Sequence, residues 1–80
     1  MPKRKLRKRE SREAGELCLV AMMSRVIEAG SIAEAAAKHI DGGDFERAFQ
    51  AALEIEPLLR DADHALQSAS IFRRMARGET

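Results

Sequence analysis

The sequence predicts an all-α fold, a small antiparallel helical bundle of three to four helices, and three observations predict it. Ala, Leu, Glu, Arg and Met, the strongest helix formers, recur along the whole chain. Tyr and Trp are absent and β-branched residues are scattered, so the alternation of a half-buried strand never develops. Glycine occurs five times and proline twice, few enough that they mark boundaries well. Eighty residues make one domain, read here as 11–78 behind a basic arm over 1–10.

The arm carries nothing apolar except Leu6 and is expected to be poorly ordered. A first helix then begins between Glu10 and Ala14 and covers about 12–29. Ser11 is its candidate N-cap, with Glu13 and Glu16 near the positive end of the helix dipole. The middle of this helix, Leu17 to Met23, is apolar on every side rather than along one stripe. A helix of that kind has to be covered from several directions.

Gly30 is expected to close the first helix, and Ser31 with Glu34 three residues later forms the S-x-x-E capping box of a second, about 32–41. Ile32, Ala36 and Ile40 share a face there, and the alanines let another helix come close. Gly42-Gly43-Asp44 reads as a turn, with Asp44 capping the next helix. From that point an apolar stripe runs Phe45, Ala48, Phe49, Ala52, Ile55, Leu59, Ala62, Leu66, Ala69, Phe72 in steps of three and four. It keeps its phase past Pro57, which predicts a kinked or briefly interrupted pair of helices, about 45–56 and 57–76, ending at Gly78. Folded at residues 42–43, the bends at Gly30 and Pro57 fall roughly opposite each other, so neighbouring arms bend together.

The fragment Gly43-Asp-Phe-Glu-Arg-Ala48 followed by Ala52-Leu-Glu-Ile-Glu-Pro57 resembles the second helix of a tetratricopeptide repeat over about 15 residues. The resemblance implies a helix-turn-helix unit of a stacked array. The repeat carries three more residues between the two halves, and no second copy occurs in this chain. Read from its residues alone, the fragment is a capped amphipathic helix that ends at a proline.

Charge is distributed unevenly. Residues 1–13 hold seven basic side chains (Lys3, Arg4, Lys5, Arg7, Lys8, Arg9, Arg12) and two acidic ones, a net of +5. The rest holds seven basic and eleven acidic, a net of −4, so a basic tail sits on an acidic body. Lys3, Arg4, Lys5, Arg7, Lys8 and Arg9 are the candidate nucleic-acid contacts, because clustered cations release the counterions of a phosphate backbone. Against that reading stand the acidic body, the lack of aromatic residues among the cations and the absence of a helix-turn-helix pattern. A solubilising tail is the plainer account. Arginine outnumbers lysine ten to four, a bias that with the alanine content points to a GC-rich bacterial source.

The remaining chemistry-bearing residues have plain readings. Asp61 and His64 lie one turn apart, like half of a helical carboxylate–histidine metal site, but no second pair joins them and both read as surface residues. Cys18, inside the apolar run, reads as a small buried residue rather than an activated thiol, and a lone cysteine forms no intrachain disulfide. Met22, Met23 and Met75 read as core filling before adaptable binding surface, and Phe45, Phe49 and Phe72 as core anchors. No nucleophile triad, phosphate loop or dinucleotide fingerprint is present. The expectation is therefore a non-enzymatic protein with no catalytic residue, metal, cofactor or small-molecule substrate. The basic start lacks a following apolar run of the signal-peptide kind, and Leu17 to Met23 is too short to span a bilayer, so a cytoplasmic place is expected.

Function is read from what the chain leaves uncovered. Leu17, Leu19, Val20, Met22, Met23 and Val26 present more apolar surface than one hairpin covers, which predicts a protein–protein interaction module, a small adaptor, chaperone or regulator. The expected partner is a second copy or another helical protein. The alternative is a nucleic-acid-associated regulator whose arm grips phosphate while the helical body dimerises.

Overall fold

The computed structural model describes residues 7–78, and Lys3, Arg4 and Lys5 of the arm lie outside the described residues. The fold is all-helical, with two helices and no strand among the described residues: α1 spans Lys8–Asp41 and α2 spans Phe45–Ala76. They pack antiparallel as a hairpin some 60 Å long and only 20 by 17 Å across. The expected bundle of three to four helices is thus corrected to a hairpin of two, because neither expected bend interrupts its helix.

At Gly30 the backbone stays helical: Gly43 and Gly78 are the glycines with positive φ, and Gly30 is not among them. Helical hydrogen bonding continues through Ser31, and the S-x-x-E box is spent inside α1 rather than at a helix start. The reason lies in the flanking pattern. Seam residues Met22, Ala29 and Ala36 keep a seven-residue spacing across the glycine, so packing against α2 holds the helix together where local propensity would let it end.

Pro57 likewise sits inside a continuous α2. It lies on the exposed side of the helix, and so does Leu53, whose carbonyl loses its amide partner. On that exposed side water can take the place of the lost bond, and the seam residues Ile55, Leu58 and Ala62 continue past the proline.

The ends behave more as expected. Asp44 caps α2, its carboxylate accepting from the backbone N–H of Arg47 at 3.0 Å. The turn closes with Gly43 at φ 77°, a conformation that suits glycine, while the amides of Gly42, Gly43 and Asp44 reach back to carbonyls of α1's last turn. Gly78, at φ 79°, closes α2, with Arg73 and Arg74 in its last turn. The start of α1 differs: it begins at Lys8, Arg7 occupies the N-cap without a side-chain bond, and Ser11 lies inside the helix instead of capping it.

The seam between the helices follows a heptad on each strand. On α1 it runs Ser11, Gly15, Cys18, Met22, Arg25, Ala29, Ile32, Ala36, His39. On α2 it runs Ala48, Ala51, Ile55, Leu58, Ala62, Ala65, Ala69, Phe72, Ala76. Steps of three and four alternate throughout, the signature of coiled-coil packing. Small residues dominate. Ala29, Ala48, Ala62 and Ala69 are buried, and a Cβ on Gly15 would stand 3.4 Å from that of Phe72. The seam therefore brings the backbones together without engaging most of the large side chains.

Candidate interaction surface

What the seam does not use lies outside it. Positions 19, 26, 33 and 40 of α1 recur every seven residues beside the seam, as do 45, 52, 59 and 66 of α2. Residues 12 and 73 continue the two rows, and both border one groove of about 400 Å³ together with Leu19, Glu16 and Arg77, so the rows lie on the same side of the hairpin. Between Arg12 and Arg73 at one end and the turn at the other, that side is apolar: Leu19, Val26, Ala33 and Ile40 face across to Leu66, Leu59, Ala52 and Phe45. Met23, Gly30 and Ala37 widen the strip on α1; on α2 Phe49 widens it near the turn, its ring stacked on Phe45 at 6.1 Å between centroids, and Glu56 and Asp63 border it beyond that point.

The opposite flank is polar. Arg25 reaches from the seam toward Asp61 at 4.0 Å and pairs with Glu28 at 3.3 Å, with Glu54 and Ser68 along the same row of α2. The α1 row of that flank is Ala14, Ala21, Glu28 and Ala35, so its charge comes mainly from Arg47, Glu54 and Asp61 of α2, whereas the apolar strip draws large side chains from both helices.

The residues expected from sequence to make the interface divide among three places. Leu19, Met23 and Val26 lie on the apolar flank, 39%, 49% and 48% exposed. Leu17 and Val20 are exposed on the outer sides of α1, away from the strip, beside Ile27. Met22 turns into the seam and is half-buried against α2. Ile40, Leu59 and Leu66, which the sequence reading assigned to helix faces but not to the interface, join the strip instead. The long α2 stripe likewise splits: Ala48, Ile55, Ala62, Ala69 and Phe72 serve the seam, whereas Phe45, Phe49, Ala52, Leu59 and Leu66 remain exposed. Phe45 and Phe49, expected as core anchors, are 70% and 50% exposed.

The basic end is larger than the arm alone. Antiparallel pairing carries Arg73, Arg74 and Arg77 of α2 to the end where Arg7, Lys8, Arg9 and Arg12 begin α1. Glu13 and Glu16 pair with Arg9 and Arg12 at 3.3 and 3.7 Å along α1. Arg7 lies 3.9 Å from Glu10. Seven cations against three carboxylates leave this pole at +4, while residues 17–68, with four basic and nine acidic side chains, stand at −5. The hairpin is electrically polar along its length.

Asp61 faces Arg25 rather than His64, which is exposed, and no group of three or more His, Cys, Asp or Glu gathers among the described residues. Cys18 is half-buried in the seam. No described helix is long and apolar enough to cross a membrane. No family model, no curated protein and no solved structure matches this chain.

Proposed function

We propose that this protein is a non-enzymatic helical interaction module, a small adaptor, chaperone or regulator that packs an apolar hairpin face against other helices, its own copy first among them. One observation carries the reading. The buried hydrophobic residues among the described ones are four alanines, whereas Leu19, Val26, Ile40, Phe45, Leu59 and Leu66 stand on a continuous strip in water. Contiguous apolar strips of this size mark interaction surfaces, since scattered exposure would need no explanation but alignment does.

Sedimentation of the full chain at tens of micromolar, paired with amide hydrogen exchange over residues 17–27, tests this. The expected result is a dimer or larger assembly, reduced to monomer by the double substitution V26E and L59E with helix content retained. A monomer with slow exchange throughout 17–27 overturns it, because such a hairpin is stable without cover.

A second reading rests on a different observation, the gathering of Arg73, Arg74 and Arg77 beside the start of α1. Here the basic pole grips phosphate while the apolar strip dimerises the body, and Lys8 and Arg9 act with Arg73 and Arg74. Labelled DNA and RNA titrated at low and near-physiological salt should bind steeply with falling salt, and both removal of residues 1–9 and the pair R73E and R74E should abolish binding. Equal binding by the altered proteins, or none at either salt by the intact chain, removes this reading and leaves the arm as a solubilising tail.

A further inference from the structure

Resting on the self-association proposed above, we infer that two copies pair their apolar strips antiparallel, forming a four-helix bundle in which each turn lies beside the partner's open end. Three features of the strip select this occupant and this orientation.

The first is area. The strip runs over positions 19–40 of α1, about 33 Å at 1.5 Å per residue, on a hairpin 20 Å across. Two such strips laid together bury on the order of 1,300 Å², within the roughly 1,200–2,000 Å² of specific protein interfaces. A second copy is therefore sufficient cover with no further partner.

The second is the order of layers. From the turn outward the strip presents Ile40 with Phe45, then Ala33 with Ala52 beside Gly30, then Val26 with Leu59, then Leu19 with Leu66. Turned about the strip's midpoint, the small layer of one copy receives Val26 and Leu59 of the other. In a parallel pair, Ala33 and Ala52 would face themselves and leave a gap. Cores reject such gaps, because lost contacts are not replaced.

The third is charge. Arg12, Arg73 and Arg77 border the strip at the open end, where Glu16 pairs with Arg12 at 3.7 Å and leaves two positive charges in excess. At the turn Asp41, Asp44 and Glu46 outnumber Lys38 and Arg47, the latter 3.4 Å from Asp44, and leave one negative charge in excess. Antiparallel docking sets Arg12 and Arg73 of one copy about 9 Å along the axis from the acidic turn of the other, a span that their long side chains largely cover. Parallel docking would stack arginine on arginine and carboxylate on carboxylate, a mismatch that costs specificity and affinity.

A single spin label distinguishes the orientations. In full-length protein carrying Cys18→Ala and Gly42→Cys, a label at position 42 sits at the turn, beyond the end of the strip, and leaves Asp41, Asp44 and Glu46 in place. The antiparallel dimer places the two labels about 35 Å apart along the bundle, from the 1.5 Å rise per residue. A label-to-label distance distribution centred at or beyond that value is the expected result of dipolar electron resonance. In a sample that sediments as a dimer, a distance under roughly 25 Å, the width of a helix pair or two, overturns the orientation and leaves the self-association standing. A sample that sediments as a monomer overturns both.

Discussion

Ser11 shows how the seam was chosen over local bonding. As a candidate N-cap its side-chain oxygen would have accepted from an exposed amide; instead it is fully buried inside α1 and its hydroxyl has no hydrogen-bond partner. The level it occupies, beside Gly15, is one where the helices come close and only small side chains fit. Serine fits by volume and loses by polarity, since a buried hydroxyl without a partner costs about 1–3 kcal/mol. Replacing it by alanine keeps the volume, removes the stranded oxygen and improves helix propensity. Ser11→Ala should therefore stabilise the protein by about 1 kcal/mol or more, seen as a higher urea midpoint with an unchanged slope. A lower midpoint would mean that the hydroxyl has a function at the groove which its burial conceals.

At the scale of the helices, the sequence carried the class, the turn at residues 42–43, the Asp44 cap and the closing Gly78, all fixed by short-range chemistry. It did not carry continuity. A glycine followed by a capping box, and a proline between two apolar half-stripes, are local stop signals, and both were outvoted by a seven-residue rhythm that spans them. That rhythm is faint in the sequence because most of the seam is alanine, glycine, serine and cysteine, with Met22, Ile32, Ile55, Leu58 and Phe72 as its larger members. Many of the other large residues belong to a second stripe beside the first. In α2 the two interleave, so steps of three and four jump between flank and seam from Phe45 to Ala48 or from Leu59 to Ala62. The all-round apolar middle of α1 was legible; which of its residues share a side with α2's exposed row was not, because that depends on the antiparallel register. The same holds for the basic pole, whose α2 half becomes adjacent to the arm only after the chain has turned back.

For the molecule as a whole, the division between a small-residue seam and large residues outside it makes folding and association one problem. Burying a Leu, Ile or Phe side chain is worth about 1.5–3 kcal/mol, and a methyl well under half of that. The seam therefore returns little against the backbone entropy of ordering two helices of 34 and 32 residues. The surface ion pairs do not close the difference: Arg9–Glu13, Arg25–Glu28 and Arg60–Glu56 are all exposed and contribute a few tenths of a kcal/mol each. A second copy supplies what is missing by covering the strip, and stability then depends on protein concentration by mass action. For a two-state dimer of this size, the unfolding entropy is about 0.3 kcal/mol per kelvin. A tenfold rise in concentration adds about 1.4 kcal/mol, so Tm should climb by roughly 4 °C per decade. Thermal melts by circular dichroism across two decades of concentration read this directly. The double variant V26E and L59E should melt lower and lose the dependence, because its strip no longer pairs while its seam is untouched. A wild-type Tm that stays constant from micromolar to hundreds of micromolar would mean that the alanine seam alone holds the hairpin, and that the apolar strip serves a partner other than itself.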